Sequence, residues 1–90
     1  MICIEFDTAK NEANIAKHGV DMALTERFEF DTALVKVDSR HGYGEVRYVA
    51  LGYIEERLHV LIFTKRGLAL RVISLRKANT REERTYRARA

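Results

Sequence analysis

The chain has 90 residues, the size of one domain (1–90), and 47% hydrophobic with 32% charged residues excludes a disordered chain. No apolar run is long enough to cross a membrane, and no spacing of Cys, His, Asp and Glu points to a metal site, so no cofactor is expected. The net charge of +3 hides an asymmetry: residues 1–64 carry 7 Lys/Arg against 11 Asp/Glu, net −4, while residues 65–90 carry 9 against 2, net +7. A basic last third favours contact with a polyanion, nucleic acid first, or with an acidic protein partner. The plain alternative is a solvated helical surface.

"ICIEF" (2–6) alternates as a short strand, and the early carboxylate is wrong for a secretory signal. Cys3, the single cysteine, reads as a buried thiol in a reducing cytoplasm. Asp7 caps a helix over "TAKNEANIAKH" that Gly19 ends. On it Ala9, Ala13 and Ala16, with Ile15 beside them, form the core-facing stripe, and Lys10, Asn14 and Lys17 share another face. Asp21 caps a second helix through about Phe28. "TALVKVD" (32–38) reads as a strand and "SRHGYGE" (39–45) as a loop. Three strands follow at about 45–54, 57–65 and 68–76, rich in Val, Ile, Leu, Tyr and Phe. "NTREERTYRARA" is helical, with Asn79 and Glu82 in capping-box spacing. The expectation is an α+β fold: two N-terminal helices, an antiparallel sheet of about four to five strands and a C-terminal helix.

Five arginines interrupt the apolar strands: Arg47, Arg57, Arg66, Arg71 and Arg76. Their faces follow from turn arithmetic. With Glu55-Glu56 as a two-residue loop, Arg47 lies opposite Thr64 and Glu45 opposite Arg66. With Arg66-Gly67 as the next loop, Ile62 lies opposite both Val49 and Arg71. Opposed residues share a face, so Glu45, Arg47, Thr64 and Arg71 gather on one face with Arg66 at its rim. Val46, Tyr48, Ala50, Leu61, Phe63, Leu70 and Val72 form the other, core face. Arg76 has the core-face parity unless the last strand carries a bulge. A carboxylate among guanidiniums reads either as a structural ion-pair cluster or as a phosphate site built from rigid donor forks.

"FDTAKNEANIAKHGV", "GEVRYVALGY", "RLHVLIFTKRG" and "RVISLRKANTREERTY" together closely resemble the BrnT toxin family, over about Phe6 to Tyr86. The pattern W-D-x-x-K-x-x-x-N-x-x-K-H-G-V falls on Phe6, Asp7, Lys10, Asn14, Lys17, His18, Gly19 and Val20. G-E-x-R falls on Glu45 and Arg47, T-x-R on Thr64 and Arg66, and R-x-I-S-A-R-x-A on Arg71, Ile73, Ser74, Arg76 and Ala78, with Glu83 and Tyr86 downstream. Phe6 replaces the usual tryptophan, Leu75 stands where alanine is typical, and "FEFDTALVKVD" is a loose match. The resemblance implies a RelE-like fold and a cytoplasmic bacterial toxin that cleaves RNA and arrests growth. It also implies a cognate BrnA-like antitoxin with a ribbon-helix-helix domain, a heterotetrameric complex, and operator DNA bound only through that antitoxin.

Metal-free RNA cleavage needs a base for the 2′-hydroxyl, cations for the phosphorane and an acid for the 5′-oxygen. Glu45, the one carboxylate in the predicted cluster, is the candidate base; Arg47, Arg66 and Arg71 are candidates to hold the phosphate. His18 is the candidate acid, although capping the helix end is an equal reading for it. Lys10, Lys17 and Arg76 are candidate RNA contacts. Tyr48 has the wrong parity, His41 reads as a solvated loop residue and His59 as a satisfied core histidine. The competing functions are a non-catalytic RNA- or DNA-binding module and an interaction protein whose basic segment docks an acidic partner.

Overall fold

The computed structural model describes residues 3–39 and 44–89. Five strands form one sheet: β1 (Cys3–Glu5), β2 (Leu34–Asp38), β3 (Arg47–Ile54), β4 (Arg57–Arg66) and β5 (Ala69–Lys77), in spatial order β1-β5-β4-β3-β2. Helix α1 (Thr8–His18) follows β1, and helix α2 (Thr80–Arg89) follows β5. The expected α+β class holds, with two corrections. The sheet is mixed, because β1 runs parallel to β5 while every other pairing is antiparallel. The segment after Asp21 is a 3₁₀ helix over Met22–Arg27 rather than an α-helix, and a second 3₁₀ turn spans Phe30–Thr32.

Asp7 caps α1 by accepting from the Lys10 amide at 2.9 Å, and Gly19 ends it at φ 70° with its N–H on the Ile15 carbonyl. The buried side of α1 differs from the expected alanine stripe. Ala9, Ala13, Ile15 and Ala16 are exposed, and the inward residues are Asn11 and Asn14. They face inward because the chain needs their amides there. Asn14 Nδ2 donates to the Val20 and Leu75 carbonyls at 2.8 Å each, and its Oδ1 accepts from the Leu75 N–H at 3.3 Å. β1 covers only Ala69–Arg71 of β5, so among the described residues the remaining β5 edge has no strand partner, and Asn14 satisfies Leu75 in its place. Asn11 accepts from the Met22 N–H and donates to Asp21, tying down the reversal after α1. The Asp21 carboxylate also accepts from the Ala23 amide at 2.9 Å, and these two donors, Ala23 first and Asn11 second, hold its carboxyl below its ordinary range.

The main core lies between this layer and one sheet face. Val20, Met22 and Phe28 pack there on Ala50, Ile54, Leu61, Phe63, Leu70, Val72 and Leu75. A smaller core on the opposite face seats Tyr86 of α2 against Leu58, Val60 and Ala78. The Tyr86 hydroxyl donates to the Thr32 carbonyl at 2.8 Å, and its ring meets Tyr53 edge-on. Cys3, expected to be buried, is exposed, because it sits on the outermost strand.

The β3–β4 register is the expected one, with Ile54 opposite Arg57 and Arg47 opposite Thr64. The β4–β5 loop is Gly67-Leu68 rather than Arg66-Gly67, so Arg66 pairs with Ala69. Both tight turns place their first loop residue at positive φ, Glu55 at 56° and Gly67 at 60°, and glycine is the residue that adopts this without strain. The loop moves the register by two residues, which leaves the faces as they were: Arg71 pairs with Thr64 and Lys65 with Leu70. Beyond Val72 the register steps, and Ile73 is the extra residue of a bulge between the Phe63–Val72 and Ile62–Ser74 pairs. The bulge turns Leu75 into the main core and Arg76, paired with Val60, onto the arginine face.

Candidate functional site

Chain register places five polar side chains in one row across all five strands. Glu5 pairs with Arg71, Arg71 with Thr64, Thr64 with Arg47, and Arg47 with Asp38. Directly paired residues share a face, so carboxylate, guanidinium, hydroxyl, guanidinium and carboxylate follow one another across the sheet. The Thr64 hydroxyl donates to the Val46 carbonyl at 2.6 Å, which fixes the backbone between Glu45 and Arg47. Glu45, just before β3, faces Arg47 at 3.9 Å and Arg66 at 3.7 Å. Glu5 faces Arg71 at 3.8 Å. The structure therefore brings Glu45, Arg47, Arg66 and Arg71 together, as expected, and adds Glu5 and Asp38.

The arginines differ in how they are held. Arg66 and Arg71 make only these long ionic contacts, beyond hydrogen-bond length, so among the described residues their donor forks are unspent. Arg76 is clamped. Its two terminal nitrogens donate to the two oxygens of Glu82 at 2.9 and 2.8 Å. Glu82 also closes the expected capping box, accepting from the Asn79 N–H while its own N–H donates to Asn79 Oδ1. The Arg76 fork holds the Glu82 carboxyl below its ordinary pKa, and Glu82 in turn raises that of Arg76. Arg76 thus shares the face of Arg71 but is committed to α2. Its pairing with Val60, against Thr64 for Arg71, sets it about 13 Å further along the sheet at ordinary strand rise.

His18 belongs to that far end. Its pKa is lowered by desolvation first, then by Lys17 and Arg76, and no contact joins it to Glu45, Arg47, Arg66 or Arg71. The structure does not bring His18 together with this cluster: α1 is tied through Asn14 to Leu75, four residues past Arg71 on β5. Lys10 and Lys17 are exposed on α1. His59 is buried, with Nδ1 2.8 Å from the Arg57 carbonyl, and His41 lies outside the described residues.

Residues 6–82 match the family model for the ribonuclease toxin BrnT of type II toxin-antitoxin systems. The chain belongs to the BrnT family. A search of curated proteins finds no match to it. The match runs from just after β1 to the first turn of α2 and so covers Arg47, Arg66, Arg71 and Glu45 alike. Membership of this family marks the chain as a ribonuclease toxin of a type II toxin-antitoxin system. It also brings a cognate antitoxin as partner. No helix among the described residues is long and apolar enough to cross a membrane.

Glu5 and Asp38 were not identified from sequence. Both alternate correctly within their strands, but only the order of strands in space reveals that they end the row. The legible signal was Asp38 at the close of "LVKVD", a carboxylate finishing an apolar strand whose partner was undetermined.

Proposed function

We propose that this BrnT-family chain is a metal-independent endoribonuclease that cleaves RNA on its open arginine face. The observation that carries the reading is the contrast between the unspent forks of Arg66 and Arg71 and the fully bonded fork of Arg76. Guanidiniums held loosely at fixed positions exchange a distant carboxylate for phosphate oxygens at small cost.

In this mechanism the phosphate sits over the row, between Arg47 and Arg71, with Arg66 at its side. Glu45 takes the 2′-hydroxyl proton, the 2′-oxygen bonds to phosphorus, and the bond to the 5′-oxygen breaks. The products are a 2′,3′-cyclic phosphate and a 5′-hydroxyl. The guanidiniums balance the charge of the phosphorane, a task that needs no divalent ion. The face is open to solvent, and water delivers the proton to the leaving oxygen. Lys10 and Lys17 on α1 offer contacts to flanking phosphates, while Arg76 mainly anchors α2.

In the cell, this reading makes the chain a cytoplasmic toxin of RelE-like fold whose activity arrests growth. A BrnA-like ribbon-helix-helix antitoxin neutralises it in a heterotetramer and alone engages operator DNA.

The test is incubation of the purified protein with RNA, with and without EDTA. Cleavage is expected to survive chelation and to fall by about 100- to 1,000-fold in Arg71→Ala and in Glu45→Ala. If both folded variants cleave like the parent, the site assignment is wrong. Salt-dependent RNA binding without cleavage by the parent would instead identify a binding module.

A further inference from the structure

Helix α2 covers only part of the arginine face. Tyr86 anchors it over Leu58 and Val60, and between its outer side and strands β2 and β3 a groove of about 380 Å³ stays open. The floor is aliphatic: Leu34, Val49, Leu51 and Val60. The rim is cationic: Lys36 from β2, and Arg81 and Arg89 from α2. None of these three cations has an ion-pair partner among the described residues. Among the described residues the one carboxylate lining the groove, Glu82, is already committed to Arg76 and to the Asn79 amide.

We infer that this groove is a docking site for an acidic amphipathic segment of a protein partner. An apolar trough edged by unpaired cations complements a segment that presents aliphatic side chains on one face and carboxylates beside them. Among the described residues the lining holds no aromatic ring on which a nucleobase could stack, which favours a peptide over RNA as the occupant. The groove and the arginine row lie on one face, since Val49 and Leu51 continue the alternation that begins at Arg47. A segment seated there lies beside the phosphate site and obstructs the path of an RNA strand. The inference rests on the toxin reading for the partner's identity, the antitoxin, but not for the existence of the site.

The experiment uses the full chain and three fluorescent probes. One is a synthetic peptide of about 20 residues with leucines on one helical face and glutamates on the other. The second has the same composition with the leucines dispersed, and the third is an RNA oligonucleotide. The amphipathic peptide is expected to bind at least about tenfold more tightly than its scrambled form. The triple variant Lys36→Ser/Arg81→Ser/Arg89→Ser is expected to lose about tenfold in affinity for that peptide while keeping its affinity for RNA and its RNA cleavage. Absence of peptide binding, equal binding of the scrambled peptide, or an equal loss of RNA binding in the variant each overturns the inference. Arg71→Ala is expected to bind the peptide normally, so a failure of the ribonuclease reading would show in the cleavage assay and leave this result standing.

Discussion

Glu5 and Arg71 stand in register on neighbouring parallel strands, with carboxylate and guanidinium 3.8 Å apart. A half-buried pair at this length, beyond hydrogen-bond distance and still reached by solvent, contributes about 1 kcal/mol or less to stability. What it can do is hold the guanidinium over the row. Under the proposed mechanism Glu5→Gln is therefore expected to lower RNA cleavage by roughly tenfold with little change in Tm, because misplacing the guanidinium proposed to hold the phosphate costs rate rather than fold. Cleavage at the parental rate in this variant would show that Arg71 needs no such support. The residue scale also separates the two histidines that sequence singled out near helix and strand. His59 is buried and bonded to a backbone carbonyl, as its apolar neighbours indicated, whereas His18 answers to Lys17 and Arg76 at the far end of the sheet. His18 lacks a legible role in the sequence because a helix terminus does not say which sheet face it meets.

At the scale of elements, the caps and turns were the most readable features. Asp7, Gly19 and the Asn79–Glu82 box act locally, within three or four residues, so their spacing alone implies their bonds. The packing side of α1 was misread because alanine periodicity suggests a core stripe, while the true inward groups are amides that serve a strand edge 61 residues away. Asn14→Ala removes the partner of the buried Leu75 N–H and C=O and of the Val20 carbonyl. Its expected cost is about 3 kcal/mol, measured by denaturant unfolding. A loss under about 0.5 kcal/mol would mean that water or a shifted strand satisfies that edge.

Across the whole molecule, two long-range features complete the site. The parallel docking of β1 supplies Glu5, and the bulge at Ile73 turns Arg76 toward the arginine face, where it meets Glu82 and fixes α2. Global stability should also respond to pH through His59. Burial lowers its pKa from the ordinary 6.5, partly opposed by its bond to the Arg57 carbonyl. Above that value folded and unfolded chains bind no proton there, so stability is flat. As pH falls below it, the unfolded chain protonates first, and stability is lost until the lower folded pKa is reached. Between pH 7 and 5 the parent's Tm is expected to fall more steeply than that of His59→Gln. Parallel slopes would assign the acid sensitivity to other groups.

By itself the sequence determined the family, the basic last third, the caps, the first hairpin and the clustering of Glu45, Arg47, Arg66 and Arg71. Each of these is local or depends only on strand parity, which a shift of two residues at the second turn leaves unchanged. Tertiary structure alone decided that β1 lies parallel beside β5. A three-residue strand without a hairpin takes its direction from where its following helix must pack. Tertiary structure also decided where the bulge falls, because Leu75 enters the main core only if one residue of β5 is left unpaired. The complete row from Glu5 to Asp38 exists only after both choices have been made in space.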